Sequence, residues 1–264
     1  MIIVQFANQT LPVSFLTEFA SKDKHSLVIE GPNGCGKTYL AKMYASLLGF
    51  SDVVEVAPKV NDIKDAFEQF QQVDNKVLIV IENLDSGVLS CAYILLKFME
   101  EPSDNLYVVV TCRNKENVPD TILSRSMTVS VGMPTKDDVC NYAKSRYMES
   151  YKHLRKRTLW KCVQSFSDVD EVCNYTDEQV QYFSNWSTVS MFTGPVNNLS
   201  WKLGHFPDGS EISSNMLIKY IMISNMDNFH VVKCCTDCMN KIDSKRIAKY
   251  LVLTKLAFDL KYCE

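Results

Sequence analysis

Eight residues near the start constrain this chain more than any others: Gly31-Pro32-Asn33-Gly34-Cys35-Gly36-Lys37-Thr38. Glycine, four residues, glycine, lysine and a hydroxyl residue is the spacing of a phosphate-binding loop. Such a loop sits between a strand and a helix, and the flanks agree. Ser26-Leu27-Val28-Ile29 is a short apolar run suited to a buried parallel strand. Tyr39 to Leu48 has helical periodicity, with Gly49 where a C-cap falls. Gly31, Gly34 and Gly36 allow torsions and close approaches that a side chain would block, so backbone N–H groups and the helix N-terminus can face an anion. Lys37 is expected to reach the terminal phosphates, and the Thr38 hydroxyl to ligate Mg²⁺. The alternative is a glycine-rich turn with no ligand, and it leaves all four matched positions unexplained.

Further along, the chain alternates. Val53 to Val56 reads as a strand, and Asp62 to Gln72 as a helix with Ile63, Ala66, Phe67 and Phe70 on one side. Val73-Asp74-Asn75 is a turn. Lys76-Val77-Leu78-Ile79-Val80-Ile81-Glu82 is the strongest strand, a continuous apolar run ending in an acid. Beside a phosphate-binding loop, that place belongs to the carboxylate that holds Mg²⁺, and Glu82 is the candidate. Cys91 to Glu101 follows as a helix ending at Pro102, Leu106 to Thr111 as a strand, Val118 to Arg125 as a loop and short helix, and Met127 to Val131 as the last strand. Alternation of this kind implies a parallel sheet covered by helices on both faces.

After Gly132-Met133-Pro134 the strands stop. Thr135, followed by acids at 137 and 138, looks like a helix N-cap, and that helix is expected to run to about Tyr151. A basic run, Lys152 to Lys161, comes next. Thr176-Asp177-Glu178-Gln179 opens another helix, Gly194-Pro195 a further one, and from Ile212 the pattern is helical with a break at Lys241 to Ser244. Expected domains are 1–133, a nucleotide-binding domain, then 134–207 and 208–264, both helical.

Composition excludes several classes. With 264 residues, 46% apolar content and net charge −3, the chain suits a globular fold without a global basic field for nucleic acid. No apolar run is long enough to span a bilayer, and Met1 to Phe6 lacks a cationic segment and a cleavage site, so no membrane partner and no signal peptide are expected. A nucleotide loop implies the cytoplasm. Ten cysteines are scattered without a disulfide rhythm. Cys235 and Cys238 have zinc-ligand spacing, but no second pair completes a set of four, so thiols on a helix are the expectation.

Three stretches together carry a resemblance: Ile81-Glu82-Asn83-Leu84-Asp85, Leu95-Leu96-Lys97-Phe98-Met99-Glu100-Glu101-Pro102, and Pro119-Asp120-Thr121-Ile122-Leu123-Ser124-Arg125-Ser126. In order and spacing they resemble the clamp-loader branch of the AAA+ ATPases, and within it the delta-prime-type subunits of bacteria and their phage relatives. The match covers roughly residues 25–135. It implies ATP bound at Gly31 to Tyr39 with Mg²⁺ at Thr38 and Glu82, Thr111 as sensor 1, and Arg125 as an arginine finger offered to the neighbouring subunit. It also implies a helical lid, a C-terminal oligomerising collar, a ring of other clamp-loader subunits, a sliding clamp and primer–template DNA.

Departures from the family pattern are as informative. Asn83 stands where hydrolytic members carry the glutamate that polarises water, and an amide cannot serve as a base. The sensor 2 arginine is replaced, Gly194-Pro195-Val196-Asn197 standing in its place, and the four zinc cysteines found in many bacterial members are absent. The implied function is ATP binding with weak or no hydrolysis by the chain alone. Competing readings are an independently active AAA+ motor or helicase loader, which Asn83 opposes, and an interaction protein with a vestigial loop, which Lys37-Thr38 opposes. The basic run Lys152 to Lys161 is either a solvated face or a DNA contact.

Overall fold

The computed structural model describes residues 25–70, 75–87, 89–101, 105–186, 195–243 and 249–261. Most of the turn at 73–75, and Pro102, Gly194 and Ser244, lie outside them. The chain divides into two units, one of residues up to Val139 with Ser165–Ser167, the other of Cys140–Gln164 with Asp168 onward.

Five parallel strands form the centre of the first unit: β1 (Ser26–Glu30), β2 (Asp52–Val56), β3 (Val77–Ile81), β4 (Leu106–Cys112) and β5 (Met127–Ser130), in the order β2-β3-β4-β1-β5. Between them run α1 (Lys37–Leu48), α2 (Val60–Phe70), α3 (Leu89–Glu100) and the short α4 (Asp120–Leu123). Successive strand residues point to opposite faces, so each inner strand feeds two cores. Leu27, Ile29, Leu78, Val80 and Val109 pack with Leu40, Ala41 and Tyr44 of α1, whereas Val28, Ile79, Ile81, Val108 and Val110 pack with Ile63 and Phe67 of α2 and Leu95 of α3. Covering both faces explains why β3 and β4 read as unbroken apolar runs, every residue of each being buried. β2 lies at the edge, and its Asp52, Val53 and Glu55 are exposed.

Helix ends follow local chemistry. α1 starts at Lys37, after Gly36 in the left-handed region at φ 96°, and stops at Gly49 (φ 70°), whose N–H returns to Ala45 and Ser46 carbonyls. The helix predicted from Thr135 is present as α5 (Lys136–Arg146). Its cap is reciprocal: Asp138 N–H donates to Thr135 Oγ1 at 3.2 Å, and Thr135 N–H to Asp138 Oδ2 at 2.9 Å. It ends sooner than the sequence suggests. Tyr147 leaves helical geometry at φ −133°, ψ 45°, and α6 (Met148–Leu154) restarts beyond it. The hydroxyls of Tyr142 and Tyr147 both donate to Asp170 Oδ1 at 2.9 Å, a partner that no reading of the local pattern supplies.

Among its described residues the second unit is helical: α6, α7 (Thr158–Lys161), most of α8 (Phe166–Cys173), α9 (Asp177–Ser184), α10 (Val196–Lys202), α11 (Ser214–Ser224), α12 (Phe229–Asp243) and α13 (Lys249–Lys261), with one isolated bridge between His205 and Glu211. Tyr175, Phe183, Phe206 and Tyr220 cluster edge to face, and Lys219 pairs with Asp168 at 3.1 Å, both largely buried. α13 packs against α10 and α12. Cys235 and Cys238 lie on α12 with their side chains buried, and burial pushes the Cys238 thiol up to about 11. The basic run divides by side-chain type: Lys152, Arg155, Lys156, Arg157 and Lys161 are exposed, while Leu154, Leu159 and Trp160 are buried.

α9 opens with a full capping box, Thr176 Oγ1 accepting from Gln179 N–H and Gln179 Oε1 from Thr176 N–H. Thr176→Ala is expected to lower the unfolding free energy by about 1 kcal/mol, measured by urea denaturation, while Thr176→Ser stays close to the parent.

Candidate functional site

The site forms where three parallel strands end side by side. β4 lies between β1 and β3 in the sheet, so the loop after β1, the turn after β3 and the end of β4 meet at one edge. Gly31 N–H donates to the Cys112 carbonyl at 3.0 Å, which ties the loop to β4. A Cβ on Gly31 would stand 2.5 Å from the Val131 carbonyl oxygen and 2.9 Å from Cys35 Sγ, so only glycine fits there. Cys35 is fully buried beneath the loop, and burial raises its thiol pKa. Pro32 and Asn33 are exposed at the loop tip, and Tyr39 is partly buried in the first turn of α1.

Lys37 is 7% exposed, and its ammonium donates to the carbonyls of Gly31 at 2.7 Å and Pro32 at 2.9 Å. Neutral carbonyls are weaker acceptors than a phosphate oxygen, so the ammonium sits inside the loop with a cation's capacity to spare. Thr38 Oγ1 donates to Glu82 Oε1 at 2.7 Å. The two groups expected to share Mg²⁺ are thus in direct contact although 44 residues separate them. A hydroxyl and a carboxylate are hard oxygen donors of the kind Mg²⁺ takes alongside phosphate and water, so they fit that ion.

Thr111 is buried near the end of β4, where its hydroxyl accepts the N–H of Asn83 at 2.9 Å. Asn83 itself is the one described non-glycine residue with positive φ, at 49°. Asparagine tolerates that region, and here the backbone turns sharply just past Glu82. Arg125 is placed away from these groups, following α4. Its guanidinium donates to Glu100 Oε1 at 2.9 Å and to the Thr121 carbonyl at 3.1 Å, and its side chain is 39% exposed.

Two charged groups here had no role in the sequence reading. Glu30 ends β1 and accepts from Lys115 N–H at 3.0 Å and Ser130 Oγ at 2.8 Å; the Lys115 N–H bond leads in holding its carboxyl below the usual carboxylate range. Arg113 follows β4 directly and pairs with Asp85. Burial, with Asp85 and Glu30 nearby, pushes the intervening Cys112 thiol up to about 12. Each is a charge just past an apolar strand, the same signal that singles out Glu82, but without a neighbouring motif to give it meaning.

Residues 53–134 match the family model described as DNA polymerase III, delta subunit. A curated relative, DNA polymerase III subunit gamma of Buchnera aphidicola subsp. Baizongia pistaciae, is 27% identical over 133 residues, 39% of this chain. The chain spans about a third of that relative, 36% of its length. Among solved structures, a DNA polymerase III gamma subunit-related protein from Thermotoga maritima superimposes with TM-score 0.57 at 14% identity, covering 94% of this chain and 98% of that one. A single-site mutant of Thermotoga maritima RuvB gives 0.52 at 13%, covering 95% and 82%. At these identities the structural likeness shows the fold alone. Over the matched segment the chain is thus similar to subunits of DNA polymerase III, and its fold is similar to that of the gamma subunit-related protein.

Proposed function

We propose that the chain is a delta-prime-like clamp-loader subunit that binds ATP·Mg²⁺ at Gly31 to Tyr39 and uses the nucleotide to set its conformation rather than to run catalysis alone. The observation that carries this is the contact between Thr38 and Glu82, a hydroxyl and a carboxylate brought together one residue after Lys37, whose ammonium lies within the loop. In this reading Lys37 and the loop N–H groups bind and orient the phosphates, and Thr38 and Glu82 hold the ion. Bound Mg²⁺ supplies neutralisation of phosphate charge. Asn83 offers no base to an attacking water, so turnover by the isolated chain is weak or absent. Thr111 acts as sensor 1, its bond to the Asn83 N–H linking β4 to the acid-bearing turn.

Arg125 serves the neighbour. Its present partner, Glu100, is a surface carboxylate on the same unit, and an exposed pair of this kind is worth only about 0–1 kcal/mol. The guanidinium is therefore cheaply released to a phosphate on an adjacent subunit. The ring, acting in the cytoplasm, opens a sliding clamp and places it on primer–template DNA, with the helices after residue 208 as the oligomerising collar. The exposed basic residues from Lys152 to Lys161 are available to DNA phosphates.

The alternative is an independently active AAA+ ATPase such as a helicase loader or motor, which the intact phosphate loop favours. One experiment separates them. The purified full chain is titrated with ATP and Mg²⁺ by calorimetry, and phosphate release is followed in parallel. Binding without sustained release is the expected result; steady turnover by the chain alone supports the motor, and no binding overturns both.

A further inference from the structure

Thr111, the sensor residue of the reading above, is 1% exposed and its hydroxyl is bonded to Asn83. Two residues on, Arg113 leaves the same strand end and is one-third exposed. The end of β4 runs alongside the turn after Glu82, with Thr111 on Asn83 and Arg113 on Asp85. It runs equally close to the phosphate loop, because the carbonyl of Cys112 takes the N–H of Gly31. Arg113 thus directly follows a residue bonded to the loop and itself pairs with the turn after Glu82.

Its pairing there is incomplete on both sides. Arg113 Nε lies 3.4 Å from Asp85 Oδ2, at the long limit of a hydrogen bond, and its other guanidinium nitrogens have no hydrogen-bond partner among the described residues. The Asp85 side chain is 1% exposed, and its Oδ1 is buried with no hydrogen-bond partner among the described residues. A structural ion pair of this depth normally satisfies both carboxylate oxygens, because an unmatched buried polar atom is costly. A forked cation held by one long contact, one residue beyond the bond that ties β4 to the loop, is placed to change partners.

Resting on the nucleotide-binding reading, we infer that Arg113 is the residue by which this chain's own site tells a nucleoside triphosphate from a diphosphate. Asp85 holds the guanidinium when no terminal phosphate is present. A γ-phosphate takes it over, a bidentate acceptor replacing a monodentate one, and the turn bearing Glu82, Asn83 and Asp85 is released from β4 on that side. Arg113 is a binding and specificity residue; it moves no proton.

The test is equilibrium binding by the full-length chain of the slowly hydrolysed triphosphate analogue ATPγS and of ADP, each with Mg²⁺. The parent is expected to favour ATPγS, and Arg113→Gln to weaken ATPγS by about tenfold while ADP changes less than about twofold, the size of one charge-assisted bond. Retained ADP binding also reports that the variant is folded. Arg113→Lys should recover only part of the preference, because an ammonium lacks the fork. The double variant Asp85→Asn with Arg113→Gln leaves no unpaired buried charge and should show the same flattened preference. A parent that binds both nucleotides alike, or variants with the parental ratio, overturn the assignment while leaving nucleotide binding intact. A parent that binds neither overturns the assignment and the reading beneath it together.

Discussion

Lys37→Ala is expected to abolish measurable nucleotide binding by the isolated chain, a loss of about two orders of magnitude or more. The ammonium is the cation at the centre of the loop, 7% exposed and within hydrogen-bond distance of two of the loop's own carbonyls. Those bonds tether the loop; in the proposed function the same ammonium neutralises phosphate charge where water is largely excluded, and there such an interaction is strongest. Alanine removes both effects. The fold should survive, because α1 is anchored by Leu40, Ala41 and Tyr44 in the core and capped at Gly49. Calorimetric titration with a thermal melt on the same sample separates lost binding from lost structure. A variant that is folded and still binds ATP would show that the loop does not hold phosphate as proposed.

The second large effect concerns Arg125, and it is expected only in company. Arg125→Ala should leave nucleotide binding by this chain unchanged and shift its stability by less than about 1 kcal/mol, since the Glu100 pair it loses lies at the surface. In the assembled ring the same change should slow ATP hydrolysis at the neighbouring site by roughly three to five orders of magnitude, the range for removing an arginine that meets a γ-phosphate. Steady-state phosphate release by reconstituted rings, parent against variant, measures it. An unchanged rate would reduce Arg125 to what its present contacts show, a residue fastening the end of α4 to α3. The two substitutions act at different places. If Lys37 serves this chain's own site and Arg125 its neighbour's, as proposed, their effects on a ring should be separable by site.

The sequence by itself determined the strand–loop–helix around Gly31 to Thr38, the alternating first half and the helical remainder. These are legible because each depends on neighbours in the chain. Glycine torsions, a hydroxyl cap at Thr135 or Thr176, and apolar runs of strand length all act within a few residues. The end of α5 was not legible; Tyr147, where it stops, bonds through its hydroxyl to Asp170, 23 residues further on. The acid at the end of an apolar strand picked out Glu82, and the resemblance Thr111 and Arg125, but neither showed what each of them touches.

Only the tertiary structure decided the contacts that make a site. Seating β4 between β1 and β3 brings Thr38 to Glu82, Thr111 to Asn83 and Arg113 to Asp85, across gaps of 44, 28 and 28 residues. No periodicity encodes such gaps. They follow from strand order and register, which are settled by burying both faces of the sheet at once. A charge at the end of an apolar strand is visible in the sequence; which other charge it will meet is decided by the strand that packs beside it.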